Sequence, residues 1–490
     1  VISSTLPLIL VMMLTSQSAS AQAVVRQHRA EEIGFPDLEF EPPTVEEHEV
    51  AGVTVLLLED RTLPLATIYV RLNGGYGLFS RDMYAAASAL PSLIRFGGTE
   101  SLAPDSVDKV LEYYAIQTSF GSGGDAVTAT ANALVQHFPV AIDLLGTLLT
   151  EPAFDSNEVE VWRGRQIESV LRRTDDPVRL AYSEFNRLLY GDHSIGWEMN
   201  EADLEPRDLS REKLLEVHSR IVCRDNLILG LAGDVNWSEV EPLVEELVDR
   251  IKPCSVALPE SPIPTIRDEP GIYLIEKNVD QSVIVMAHAT DLNLSDDPNY
   301  FSATIGNSIL GGGGFSSRIL SRIRTEEGFA YSAASLWTIP RRYPGLLGAV
   351  TSTSPENAVP AIKAILETMQ GLIDSPPQSS EVTTAVDAVV NGFVFNFETS
   401  SQILSRMMFY LSTDLPRDWL ERYLAGVQGV SASSVHRAFS EHMQPEEMMV
   451  LIVGDSERMG QELLARGLVS KGTLWSATSL LYEKYYQLVI

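Results

Sequence analysis

The chain has 490 residues, of which 45% are hydrophobic and 21% charged, with a formal net charge of −30 at pH 7. The length exceeds one ordinary core, so two or three domains are expected, and the hydrophobic share excludes a disordered chain. The acidic balance argues against nucleic acid or an anionic membrane surface as partner and suits basic peptides.

In chain order, residues 6–14 (LPLILVMML) form a short apolar run, followed by Ser18-Ala19-Ser20-Ala21-Gln22-Ala23. This is the pattern of a signal peptide over 1–23 with an A-x-A cleavage site after Ala21 or Ala23. The run is too short to span a bilayer, and no later segment looks transmembrane. The expected location is therefore periplasmic or secreted, with no integral membrane segment once the signal is removed. The two cysteines, Cys223 and Cys254, allow either one bridge or two buried thiols.

The elements that follow occur twice. Gly52-Val53-Thr54-Val55-Leu56-Leu57 opens a strand, as does Gly271-Ile272-Tyr273-Leu274-Ile275, 219 residues later. TIYVRLNGG (67–75) and SVIVMAHAT (282–290) read as strands; VEVWRGRQIESVLRR (159–173) and NAVPAIKAILETMQGLI (357–373) have helical periodicity. Each unit closes on an apolar strand ending in Gly-Asp, at 229–235 and 449–456, with Gly233 and Gly454 separated by 221 residues. A period this long predicts duplicated domains, over 45–252 and 271–460. Residues 253–270 hold five prolines and read as a stiff linker. The tail 472–490 lies outside both copies and carries no assigned role. The predicted fold class is α+β, with two homologous layered domains built from antiparallel-rich sheets and helices. The order of strands within each sheet does not follow from the pattern.

Three passages carry a family resemblance: 280–332 (DQSVIVMAHATDLNLSDDPNYFSATIGNSILGGGGFSSRILSRIRTEEGFAYS), 415–455 and 189–236. Together they resemble the pitrilysin/insulinase family of metallopeptidases, whose zinc motif is H-x-x-E-H. The resemblance covers residues 45–460 and implies two homologous domains arranged clam-like around a cavity that encloses peptides. The zinc helix is expected just before Gly98-Thr99, where the chain reads MYAAASALPSLIRFGGT (83–99). The three motif positions fall at Ala89, Ser92 and Leu93. Zinc peptidase chemistry needs two imidazoles to hold the metal and a carboxylate to take the proton of its water. Alanine, serine and leucine supply neither. Glu168, 79 residues after Ala89, sits near the position of the third ligand, but one carboxylate does not hold zinc. Pro91, costly inside a helix by about 3 kcal/mol, predicts a locally reshaped turn. The eight histidines form no H-x-x-E-H or H-E-x-x-H, and His193 and His288 read as structural. No G-x-S-x-G elbow is present.

The other half of the family's active site is retained. Active members carry an arginine and a tyrosine seven residues apart that orient the peptide and stabilise the oxyanion, and Arg324 and Tyr331 match those positions. Guanidinium and phenol are hydrogen-bond donors suited to a carbonyl oxygen and its developing charge. Gly328 is placed to end the helix and turn the chain into a strand bearing Tyr331. Gly311, Gly312, Gly313 and Gly314 lack the Lys-Ser or Lys-Thr of a phosphate loop. They resemble the glycine-rich, substrate-binding loop of a non-zinc subunit of the family, or else form a tight strand-to-helix turn. The resemblance thus implies a subunit without its own metal or cofactor, inactive alone, that lends Arg324 and Tyr331 to a zinc-bearing paralogous partner for peptide hydrolysis. The alternative is a non-catalytic structural or assembly protein using the same fold.

Overall fold

A computed structural model describes residues 44–267 and 269–459, and the backbone of 474–476. The signal-peptide segment 1–23 and the remainder of the tail 472–490 lie outside the described residues.

The first sheet contains β1 (Glu46–Val50), β2 (Val53–Glu59), β3 (Leu65–Asn73), β4 (Gln117–Ser122), β5 (Ala126–Leu134) and β6 (Leu227–Gly233), in the order β1-β2-β6-β3-β5-β4. The second contains β7 (Gly271–Glu276), β8 (Ser282–Thr290), β9 (Ala333–Thr338), β10 (Gly345–Thr353), β11 (Met449–Gly454) and β12 (Leu474–Ser476), in the order β12-β7-β11-β8-β10-β9. The two orders are the same apart from the edge strand. The last long strand of each unit inserts between two earlier ones, β6 between β2 and β3 and β11 between β7 and β8, running parallel to the first of each pair and antiparallel to the second. The α+β class and the duplication read from the sequence are both present.

Residue choice explains the layers. Along β3, Ala66, Ile68, Val70 and Leu72 are buried in alternation with more exposed neighbours, the period of two that puts one face on a core. In β6 and β11 almost every residue is buried, because helices cover both faces of these central strands and an uninterrupted apolar run is what such a position requires. The inner faces meet the helices Tyr84–Phe96 and Phe138–Thr150 in the first half, and Pro298–Asn307 and Ala358–Asp374 in the second.

The opposite faces are covered by exchange. Leu180, Phe185 and Leu189, on the helix Pro177–Tyr190 of the first half, pack on Ile275, Val283, Val285 and Leu451 of the second sheet. Leu404 and Met408, on the helix Ser400–Ser412 of the second half, pack on Leu56, Ile228 and Ala232 of the first sheet. Polar contacts add to the seam: Arg417 pairs with Glu47 at 2.8 Å, and the Lys277 ammonium donates to the Thr174 carbonyl at 2.5 Å.

Residues 252–267 contain no helix or strand and run along the first half, where the Arg267 amide donates to the Leu189 carbonyl at 2.7 Å. Here Cys254 forms a disulfide with Cys223, with Cα atoms 4.9 Å apart and a sequence separation of 31. The two-way reading of the cysteines is thereby settled in favour of a bridge. A cross-link closing a loop of this size acts mainly on the unfolded chain. Cys254→Ser is expected to lower the free energy of unfolding by about 2–4 kcal/mol, measured by urea denaturation of the oxidised wild type beside the variant. An unchanged midpoint would mean that the 223–254 loop is already constrained in the unfolded chain.

Candidate functional site

The zinc-motif positions lie on the helix Tyr84–Phe96, which runs unbroken through Pro91. The reshaped turn expected at Pro91 is therefore corrected. Ala87, Ala89, Leu90, Leu93 and Ile94 are all buried around Pro91, and this packing offsets the loss of one helical hydrogen bond. Ala89 and Leu93 are one turn apart and both belong to the core of the first half, while Ser92 is half-buried. Glu168, on the helix Ser156–Leu171, is exposed and pairs with Arg172 one turn on at 2.9 Å. Among the described residues no group of three His, Cys, Asp or Glu side chains is placed to hold a metal ion.

The histidines have structural partners. His288 is buried in β8; its Nδ1 lies 2.6 Å from the Ala289 carbonyl, and its Nε2 accepts from the Gln444 amide at 3.1 Å. That pairing places the ring proton on Nδ1. His193 accepts the Ile195 amide and lies 3.0 Å from the Pro262 carbonyl of the linker. His218 sits 2.7 Å from the Leu149 carbonyl, and burial holds its pKa below the ordinary histidine value.

Arg324 and Tyr331 come together at the surface. Ile319 and Ile323 anchor the turns Arg318–Leu320 and Ser321–Glu326 in the core of the second half, leaving Arg324 on the outer side. Gly328 ends this helical stretch with φ of 67°, a left-handed conformation that favours glycine, and the Phe329 amide reaches back to the Ile323 carbonyl at 2.8 Å. β9 begins only at Ala333, so Tyr331 stands in the bend before the strand and not on it, a correction to the sequence expectation. The Arg324 guanidinium carbon lies 4.3 Å from the centre of the Tyr331 ring and 4.9 Å from that of Phe315. Both rings are about three-quarters exposed, at 77% and 75%. Such cation–π contacts contribute about 0.5–1 kcal/mol each at an exposed site. Among the described residues no carboxylate forms an ion pair with Arg324, whereas the adjacent Arg322 pairs with Glu326 and Glu327.

The four glycines shape the turn that delivers Phe315. Gly311 is buried against β9, where a Cβ would lie 2.3 Å from the Ser335 amide nitrogen, so any side chain would force the strand away. Gly312 and Gly314 are exposed, and Gly313 is half-buried. The sequence reading missed Phe315. Its signal was a large aromatic directly after a glycine run, at a place where a solvated turn has no need of one. The resulting arrangement presents a guanidinium packed on two exposed aromatic rings, one of them a phenol, to whatever approaches the surface.

Comparison with known proteins agrees with the resemblance. A family described as "Peptidase M16 inactive domain" matches residues 208–389. The chain is 20% identical over 432 residues to the protein named non-peptidase homolog YmxG of Helicobacter pylori, covering 86% of this chain and 97% of that one. It is 23% identical over 282 residues to an uncharacterized zinc protease of Mycobacterium bovis, a match spanning 56% of this chain and 63% of the relative. The crystal structure of a peptidase M16 inactive domain from Pseudomonas fluorescens superposes with a TM-score of 0.76 at 20% identity, covering 84% of this chain and 98% of that one. The matched domain, the relatives and the shared fold agree: the chain resembles the M16 (pitrilysin/insulinase) metallopeptidases, and its residues 208–389 are similar to the family's inactive-type domain.

Proposed function

We propose that this chain is the non-zinc subunit of a two-chain peptidase: it presents Arg324 and Tyr331 to a peptide whose scissile carbonyl is activated by zinc on a paralogous partner. The observation that carries this reading is the exposed Phe315–Arg324–Tyr331 stack, coupled with zinc-motif positions filled by Ala89, Ser92 and Leu93. A half-buried arginine that forms no ion pair among the described residues and lies against two exposed rings costs side-chain entropy, and contact with a partner or peptide would repay that ordering. The disulfide fits folding in an oxidising compartment, which supports a periplasmic or secreted location. The acidic net charge suits basic peptides.

The chain alone is expected to cleave no peptide and to hold no stoichiometric zinc. Mixed with a paralogue bearing H-x-x-E-H, it should restore chelator-sensitive proteolysis. Fluorogenic-peptide assays of each chain and of the mixture, with metal analysis of each, test this directly. A mixture as inactive as its parts, though stably paired by size-exclusion chromatography, would favour the structural or assembly role. Proteolysis by the pure chain would overturn both.

A further inference from the structure

A second site, independent of that reading, lies on the other side of the helix Ser400–Ser412. Leu404 and Met408 face the first sheet, while Arg406 and Tyr410 line a cleft of 360 Å³ within the second half. Seven of the eleven residues lining it are aromatic, among them Trp337 from β9, Phe393, Trp419 and Tyr423. Phe393 and Tyr423 stack with centroids 4.8 Å apart. The cleft's volume and lining are those of a small-molecule site.

The polar groups settle the sign of the ligand. Among the described residues Arg406 is the one charged side chain of the lining; Glu421 acts on Tyr410 but does not line the cleft. Its guanidinium carbon lies 5.6 Å from the Phe393 ring and 5.8 Å from Phe397. The hydroxyl of Tyr410 is buried beside Arg406 without a hydrogen bond of normal geometry. Burial pushes the Tyr423 hydroxyl up to about 12 and Arg406 opposes the shift, which puts that phenol near the same charge in its protonated, donating form. An aromatic box without the arginine would take a cation. With a guanidinium and phenolic donors inside it, the box favours an anion with an apolar body.

We propose that this cleft binds a carboxylate borne on an aromatic or apolar group, the carboxylate pairing with Arg406 and the apolar group lying among Trp337, Phe393, Trp419 and Tyr423. Two sources share that chemistry, a free organic acid and the C-terminal residue of a peptide.

The test titrates the full chain with 3-phenylpropionate and with 3-phenylpropanamide, followed by calorimetry and by the fluorescence of the lining tryptophans. The acid is expected to bind about tenfold tighter than the amide, the scale of one charge-assisted pair. Arg406→Met, which keeps an apolar stem, should erase the difference while leaving amide binding in place. Equal affinities for acid and amide on the wild type, or no saturable binding of either, would overturn the proposal, and that comparison stands even if Arg406→Met weakens the fold. The tripeptide Ala-Ala-Phe and its C-terminal amide form the second arm. Tighter binding of the tripeptide than of phenylpropionate assigns the site to peptide C-termini, and the reverse order assigns it to free acids.

Discussion

In the reconstituted pair, Tyr331→Phe is expected to lower kcat by about 10²–10³ while KM changes little, the result for loss of one donor that binds the oxyanion only as charge develops. The ring that packs on Arg324 remains, so pairing and fold should be untouched. Arg324→Lys keeps the charge but loses the planar group that packs on Phe315 and Tyr331, and should raise KM as well as lower kcat. Steady-state kinetics on the mixture, with association checked by size-exclusion chromatography, separates the outcomes. Wild-type kinetics from both variants in an intact pair would assign these residues to packing, and the assembly role would then lead.

The second large effect is expected far from that surface. Phe185 is 1% exposed and belongs to a helix of the first half seated on the sheet of the second. Phe185→Ala removes a buried aromatic and leaves a cavity, which typically costs about 3–5 kcal/mol. Leu404→Ala, at the reciprocal contact, should cost about 2–5 kcal/mol. Equilibrium unfolding in urea should show each variant losing stability in one transition shared by both halves. Two separated transitions in the wild type would show that the exchange contacts do not couple the halves, and would refute this expectation.

The strands were legible because their signals are local. SVIVMAHAT spans β8 from Ser282 to Thr290 without a residue of error, and the paired Gly-Asp ends located β6 and β11. The insertion of β6 between β2 and β3 was not legible, because it joins residues more than 150 positions apart and alternation of side chains does not name a neighbour. For the same reason the amphipathic helix at 177–190 gave no hint that its partner sheet belongs to the other half. The candidate site was legible as a pair, Arg324 and Tyr331, since their spacing matches a known pattern. Phe315 was not, because its contribution is a contact across a turn whose path depends on Gly311 fitting against β9. Pro91 misled because propensity is a weak prior against the burial around it.

The exchanged helices also impose a schedule. A chain that emerges from its N-terminus can close the first sheet as soon as β6 is available, yet Leu56, Ile228 and Ala232 stay bare until residues 400–412 follow. Residues 234–412, from the end of β6 to the end of that helix, are 179 positions. At synthesis rates of about 5–20 residues per second, that is a wait of roughly 10–35 s with an adhesive face uncovered. A chain that stalls or is cut short before residue 400 never covers that face. The late helix therefore distinguishes finished molecules from fragments, and fragments should fall to chaperones, proteases or aggregation.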